Sequence, residues 1–255
     1  MEDYFLGRTN KYFPPLWVSL QTPSPFFFAK DVLDPLLART TVIDFSSNPV
    51  LFGNVLRGRN DLILKCSSSS CLENAIDESH AFNLIQAELI QNLCAIGRSR
   101  IDFFMLTIRS SLEEFQISGA LHALEQAIQE GNVGYTGLKV TGSPLSTLAL
   151  WQFRDGFDVI EIQATPDSHA SLEAILPLAS ARRVGIVIKT SDFHFIEDLE
   201  IQVNWANSFG TATVPIANPS SAKIVSELID RFQSRPQNEN AEVCEKTTPL
   251  LKGDK

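Results

Sequence analysis

Four charged residues lie within or beside short apolar runs of the sequence, where buried β-strands are expected: Asp44, Lys65, Lys139 and Glu161. Taking an ion out of water is costly unless an opposite charge lies beside it, so these side chains are expected to be paired. A lysine that is desolvated or placed near a second cation can instead act as a general base or form a Schiff base with a carbonyl compound. The residue types therefore fit two hypotheses, structural ion pairs and lysine-dependent catalysis.

The histidines and cysteines carry weaker signals. His169 and His194 each follow a predicted strand, where a general acid or base could sit, and His122 lies within a predicted helix as a surface or packing residue. No His-x-x-His pair occurs, and the cysteines lack metal-ligand spacing, so no metal site is predicted. The cysteines are expected to be reduced thiols because no secretory leader precedes them; they are Cys66, Cys71, Cys94 and Cys244.

Apolar runs and helical patterns alternate along the chain, which predicts an α/β fold with parallel strands joined by helical crossovers. The eight predicted strands are 17–21, 41–44, 62–66, 103–106, 135–139, 159–163, 185–190 and 211–216. The predicted helices are 29–37, 81–96, 112–130, 145–153, 171–183, 196–208 and 220–232. The connection 46–61 is judged too short for a full helix.

Several segments, taken in order, resemble the aldo-keto reductases. They are LGRTNKYFPPLWVSL (6–20), VIDFSSNPVLFGN (42–54), DLILK (61–65), the run from IDFFMLT through FDVIEIQ (101–163), ARRVGIVIKTS (181–191) and TATVPIANPSSAKIVSEL (211–228). The resemblance implies a (β/α)8 TIM barrel over residues 1–233, irregular or shortened after strand two and between strands seven and eight. The length of 255 residues suits one such barrel, which typically needs about 250.

The resemblance also implies where the family's catalytic groups would lie. Asp44 and Lys65 match the family's Asp and Lys, but Phe52 stands at the position of the proton-donating Tyr and Thr107 at that of the His. Phenylalanine has no ionisable proton, and general acid catalysis is worth about 10²- to 10⁴-fold, so the usual carbonyl reduction is expected to be crippled.

The family's contacts to NADP are replaced as well. Lys139 and Val140 stand where the resemblance places Ser-Asn, and Glu161 stands for a Gln, Thr190 for a Tyr and Ile216 for a Gly. These substitutions predict that the chain binds no cofactor and that NADP is disfavoured.

Two pairs of opposite charge replace this machinery, Asp44 with Lys65 and Lys139 with Glu161. They are either salt bridges that fill the old cleft or a remodelled active site in which Lys139 is the preferred catalytic lysine. Lys189 is a second candidate cation, although strand alternation relative to Thr190 would point it towards the helices. Whether the chain is an enzyme therefore stays open. The hypotheses are a non-redox enzyme of specialised metabolism (a lyase, isomerase or cyclase), a regulatory or scaffold subunit, and an atypical NADPH-dependent reductase.

Charge and composition limit the classes of partner that are expected. The formal net charge of −9 argues against nucleic acid, and the apolar triplet at 26–28 is far shorter than the ~20 residues that span a membrane. The expected partner is a small organic molecule in the barrel mouth or another protein, in the cytoplasm. Residues 234–255 are polar and are predicted to form a disordered tail.

Overall fold

The computed structural model describes residues 3–21, 30–69, 72–109, 112–141, 156–167, 170–218 and 220–234. The strands in these ranges are β1 Tyr4–Phe5, β2 Tyr12–Phe13, β3 Val18–Leu20, β4 Val42–Asp44, β5 Ile63–Ser67, β6 Ile101–Ile108, β7 Val133–Val140, β8 Val159–Gln163, β9 Gly185–Lys189, β10 Ala212–Val214 and β11 Ile216–Ala217. The helices are α1 Lys30–Arg39, α2 Pro49–Leu56, α3 Glu78–Ile96, α4 Glu114–Gln129, α5 Ala170–Arg182, α6 Ile196–Asn207 and α7 Ala222–Ser234.

The strands β3 to β11 form one parallel sheet whose order follows the chain from β3 to β10, with β11 beside β3. β10 and β11 are two halves of the predicted eighth strand, and they flank Pro215, which has no N–H to donate. The first half pairs with β9 and the second with β3. The two ends of the sheet therefore meet at this split strand, and the predicted (β/α)8 barrel is confirmed, with an unpredicted interruption of its eighth strand at Pro215.

Alternation along the strands sorts side chains between two apolar layers. In β6, Phe103 and Met105 point into the barrel, whereas Phe104 and Leu106 belong to the large cluster between strands and helices. Both layers are buried from solvent, which explains why the strands read as continuous apolar runs.

The N-terminal end of the barrel is closed by aromatic side chains. The antiparallel hairpin of β1 and β2 places Phe13 with its ring centroid 5.1 Å from that of Phe103, and Trp17 lies 5.0 Å from the same ring. Phe13 and Trp17 are buried in the barrel interior. With this end filled, the opposite end, where the strands finish, is the one left to hold a site.

The connection after β4 differs from its prediction. It contains α2, which begins after Asn48, whose side chain accepts a hydrogen bond from the backbone N–H of Leu51. Asn followed by Pro is a helix-start signal, and it allows eight residues to form a helix in a connection judged too short for a full one.

The predicted helix 145–153 and the tail 235–255 lie outside the described residues. Within the described ranges, no helix combines the length and apolar character needed to cross a membrane.

Candidate active site at the mouth of the barrel

Five charged side chains gather where the parallel strands end, and we call them the mouth cluster: Asp44, Lys65, Lys139, Glu161 and Lys189. Strand register brings them together, because Asp44 is opposite Lys65 and Lys139 is opposite Glu161. Glu161 is in turn opposite Val187, and Lys189 lies two residues beyond Val187 on the same strand. All four residues singled out in the sequence are therefore members of one cluster.

Lys65 is the centre of this cluster. Its Nζ lies 2.8 Å from Oδ2 of Asp44 and 2.5 Å from Oε2 of Glu161, and all three side chains are almost completely buried. The other carboxylate oxygen of Asp44, Oδ1, accepts a hydrogen bond from the backbone N–H of Ser46 at 3.0 Å and contacts the hydroxyl of the same residue. The two predicted ion pairs are thus one connected network, joined through Lys65.

Electrostatics fixes the charge state of this centre. Burial alone would raise the pKa of both carboxyl groups, but the ammonium group of Lys65, with Lys139 and Lys189, outweighs it and lowers the pKa of Asp44 and of Glu161. Burial would lower the pKa of Lys65, but the charges of Asp44 and Glu161 raise it above its ordinary value. At neutral pH the two carboxylates are ionised and Lys65 is an ammonium ion, so Lys65 cannot serve as a base.

Lys139 and Lys189 are the members of the mouth cluster that are more exposed to solvent. Nζ of Lys139 lies 3.7 Å from Oε1 of Glu161, and 19% of its side chain is exposed. Lys189 is part-buried, and its Nζ donates a hydrogen bond across the barrel to Oγ of Ser19 at 3.4 Å. Burial lowers the pKa of Lys189, aided by the cations Lys139 and Lys65 and opposed by the two carboxylates.

The sequence-based expectation that Lys189 points towards the helices is wrong. That expectation started from Thr190, but β9 ends at Lys189, so strict alternation no longer holds at the following residue. Val187, two positions earlier, lies in the barrel interior, and this is the signal that places Lys189 inward. Ser19, its hydrogen-bond partner, was missed because an isolated serine in a strand carries no chemical signature.

Phe52 and Thr107 offer little to the mouth. Phe52 is buried in α2 within the apolar layer between strands and helices. The hydroxyl of Thr107 donates to the carbonyl oxygen of Ser68 at 2.6 Å. The hydroxyl proton of Thr107 is therefore already used in a hydrogen bond within the protein.

The histidines and cysteines contribute less than the lysines. His194 is exposed after β9, and His122 is a surface residue of α4 whose Nδ1 lies 2.8 Å from Glu78, as predicted for a helix-surface histidine. Cys66 is buried, which raises the pKa of its thiol and makes it unreactive. His169, Cys71 and Cys244 lie outside the described residues.

Similarity to known proteins is found among solved structures. Neither a family model nor a curated protein matches the chain. Solved structures do match: the aldo-keto reductase AKR11C1 from Bacillus halodurans in its holo form has a TM-score of 0.72 at 17% identity, over 94% of this chain and 93% of that one. An aldo/keto reductase from Brucella melitensis has a TM-score of 0.70 at 11% identity, over 95% and 98% of the two chains.

The prediction that the chain binds no cofactor is wrong, because the similar structures are aldo-keto reductases and include a holo form. A side chain that replaces a family residue can still offer a new contact to the cofactor. Oε1 of Glu161 is buried without a hydrogen-bond donor among the described residues, so it can accept a bond from the carboxamide nitrogen of a nicotinamide.

The agreement with the solved structures extends over nearly the whole length of each chain. At 17% identity and below, it concerns the course of the backbone and carries no residue roles with it. The resemblance predicted from the sequence is confirmed at this level: the chain has the fold of the aldo-keto reductases.

Proposed function

We propose that the chain is an enzyme that performs non-redox chemistry, of the lyase, isomerase or cyclase type, on a small organic carbonyl compound bound at the mouth of the barrel. The observation that carries the proposal is the composition of the mouth cluster, in which three lysines face two carboxylates. With all five groups ionised the cluster has one excess positive charge, in a protein whose formal net charge is −9. An excess cation in a water-poor site favours an anionic ligand, such as a carboxylate or the negative oxygen of an enolate.

Lys139 is the residue best placed to contact such an oxygen. It is a member of the cluster with an exposed fraction of side chain, and Glu161 lies beside its ammonium group. Glu161 is held in turn by Lys65, which is held by Asp44. Asp44 and Lys65 are therefore positioning residues that fix the carboxylate and, through it, the cation that meets the substrate.

Stabilising an enolate oxygen is the step shared by many isomerases, lyases and cyclases that act next to a carbonyl group. A fixed ammonium ion provides this stabilisation without transferring a hydride, and it needs no tyrosine. The buried Phe52, which cannot donate a proton, is compatible with this chemistry although it removes the family's usual general acid.

NADPH-dependent carbonyl reduction is the second candidate. It is favoured by the buried Oε1 of Glu161, which lacks a hydrogen-bond donor among the described residues, and by the fold shared with a reductase in its holo form. NADPH supplies a hydride when it is bound. In either reaction Lys139 would hold the substrate oxygen, so the two candidates differ in what happens at the neighbouring carbon.

The test is proton exchange next to a carbonyl group. Small aldehydes and 2-oxo acids are incubated with the protein in D₂O, with and without NADPH, and exchange of the C–H beside the carbonyl is followed by NMR. The proposal expects exchange without NADPH that falls about 10²-fold in Lys139→Met, since this is the order lost with one oxyanion-stabilising group. Lys223→Met, at an exposed lysine of α7, is the matched control and should exchange at the wild-type rate.

The other outcomes separate the alternatives. Oxidation of NADPH by carbonyl compounds without exchange in its absence would replace the proposal with the reductase. Neither activity, together with a stable stoichiometric complex with one protein from the native source, would favour a regulatory or scaffold subunit.

A further inference from the structure

The three lysines of the mouth cluster differ in how well their charge is neutralised. Lys65 contacts two carboxylates and Lys139 contacts one. Among the described residues, Lys189 donates only to the hydroxyl of Ser19, at 3.4 Å, and no carboxylate oxygen lies within 4.0 Å of its Nζ. Lys189 is therefore the cluster's lysine whose charge is least neutralised by direct contacts.

The surroundings of Lys189 combine desolvation with access. It ends β9 and points into the barrel, and its side chain is part-buried, so an amine there faces the mouth without full hydration. The charged groups that act on it are Asp44 and Glu161, which favour the ammonium form, and Lys139 and Lys65, which oppose it. Burial is the largest influence, and the net effect is a pKa below the ordinary value for lysine.

The residue that follows Lys189 in the sequence carries a buried polar group without a described partner. The side-chain oxygen of Thr190 is buried and has no hydrogen-bond partner within the described part of the chain. A hydroxyl in this state is a donor for a ligand oxygen that reaches the end of β9. In the mouth itself, the cation Lys139 is positioned to hold the oxygen of a carbonyl compound near the amine.

We propose that Lys189 is a nucleophilic amine that forms a Schiff base with a small carbonyl compound carrying a carboxylate, such as a 2-oxo acid. This inference rests on the proposed function, because it names the covalent step of a reaction at the same site. The carboxylate follows from charge: a protonated imine at Lys189 with Lys65 and Lys139 balances Asp44, Glu161 and one substrate carboxylate.

The step is balanced without an oxidant or a reductant. The lone pair of the neutral Lys189 amine attacks the carbonyl carbon, a C–N bond forms, and the carbonyl oxygen takes up a proton to give a carbinolamine. That oxygen then takes up a second proton and leaves as water as the C=N bond forms, so neutral amine, carbonyl compound and one proton give a protonated imine and water. The ammonium group of Lys139, in the same mouth, can supply this second proton and recovers it from solvent.

Borohydride trapping tests this inference. The full chain is incubated with pyruvate, the imine is reduced to a stable secondary amine, and the adduct is counted by intact mass and located by peptide mapping. We expect one adduct, on Lys189, whose yield falls at least tenfold in Lys189→Arg and is kept in the surface control Lys223→Arg. Arginine keeps the positive charge and is not a nucleophile, so the fold of the variant is supported while the chemistry is removed.

The pH profile provides a second measurement that does not depend on a variant. The reactive amine is the neutral form, so the trapping rate at Lys189 should reach half its maximum at a pH below the ordinary lysine pKa of about 10.4. The inference would be overturned by an adduct on Lys139 alone, by labelling spread evenly over surface lysines, by a midpoint at or above the ordinary lysine value, or by no adduct at all. Carbonyl-dependent proton exchange in D₂O that survives such a result would leave the proposed function standing without the covalent step.

Discussion

The charge of Lys65 is stabilised by two carboxylates that are as deeply buried as itself, so every member of this trio depends on the others. Breaking a buried ion pair by removing one partner costs much more than the pair itself contributes, because it leaves an uncompensated charge. In this barrel Asp44 also accepts from the backbone N–H of Ser46. Removal of its negative charge thus disturbs both the lysine and the start of the following loop.

We therefore expect Asp44→Asn to lower the free energy of unfolding by about 3–5 kcal/mol at neutral pH, measured by urea denaturation. Asp61→Asn is the control, since the Asp61 side chain pairs with Arg59 at 2.9 Å but is 62% exposed. Exposed pairs contribute at most about 1 kcal/mol. Equal effects of the two substitutions would contradict a buried, mutually dependent trio.

The packing of α3 against α4 depends on a glycine. An added Cβ at Gly119 would collide with the carbonyl oxygen of Glu78 and would lie 2.8 Å from Cβ of Ala81, so the two helices approach at this point as closely as their backbones allow. Alanine is the better helix former by about 1 kcal/mol, which works in the opposite direction. The contact is with backbone and cannot yield as a flexible side chain would, so overpacking should decide the outcome.

Gly119→Ala is accordingly expected to destabilise the protein by about 1–3 kcal/mol in thermal or urea unfolding. Glu125→Ala tests helix propensity alone, because Glu125 lies on the exposed face of the same helix, and its effect should stay within about 0.5 kcal/mol. A stabilised Gly119→Ala protein would show that α3 and α4 can move apart at little cost.

The elements of this barrel were largely predictable from the sequence, and the contacts of its mouth only in part. Apolar runs bounded by turns identified the strands, since burial on both faces leaves few polar positions. The pairs on neighbouring strands, such as Lys139 with Glu161, follow from strand order. The contact of Lys65 with Glu161 does not, because β5 and β8 are separated by β6 and β7 and meet only where the sheet curves into a barrel.

The whole molecule has two unlike ends. Aromatic and aliphatic side chains fill the barrel where the strands begin, and ions fill it where they finish. The side chains that fill the apolar end carry no carboxyl group, whereas the ionic end depends on two carboxylates that must stay charged. Acid should therefore act on the stability of this protein mainly through its mouth.

The sign of this dependence follows from the lowered pKa of Asp44 and of Glu161. A carboxyl group whose pKa is lower in the folded than in the unfolded protein contributes stability that is fully present above the unfolded value, about 4, and is lost as the pH falls towards the folded one. The free energy of unfolding of the wild type should thus fall steeply below about pH 4. Asparagine does not titrate, so the difference in the free energy of unfolding between the wild type and Asp44→Asn should become smaller over the same pH range. Urea denaturation of both proteins between pH 7 and pH 2 measures this difference, and two parallel stability curves would mean that Asp44 titrates alike in the folded and unfolded chains.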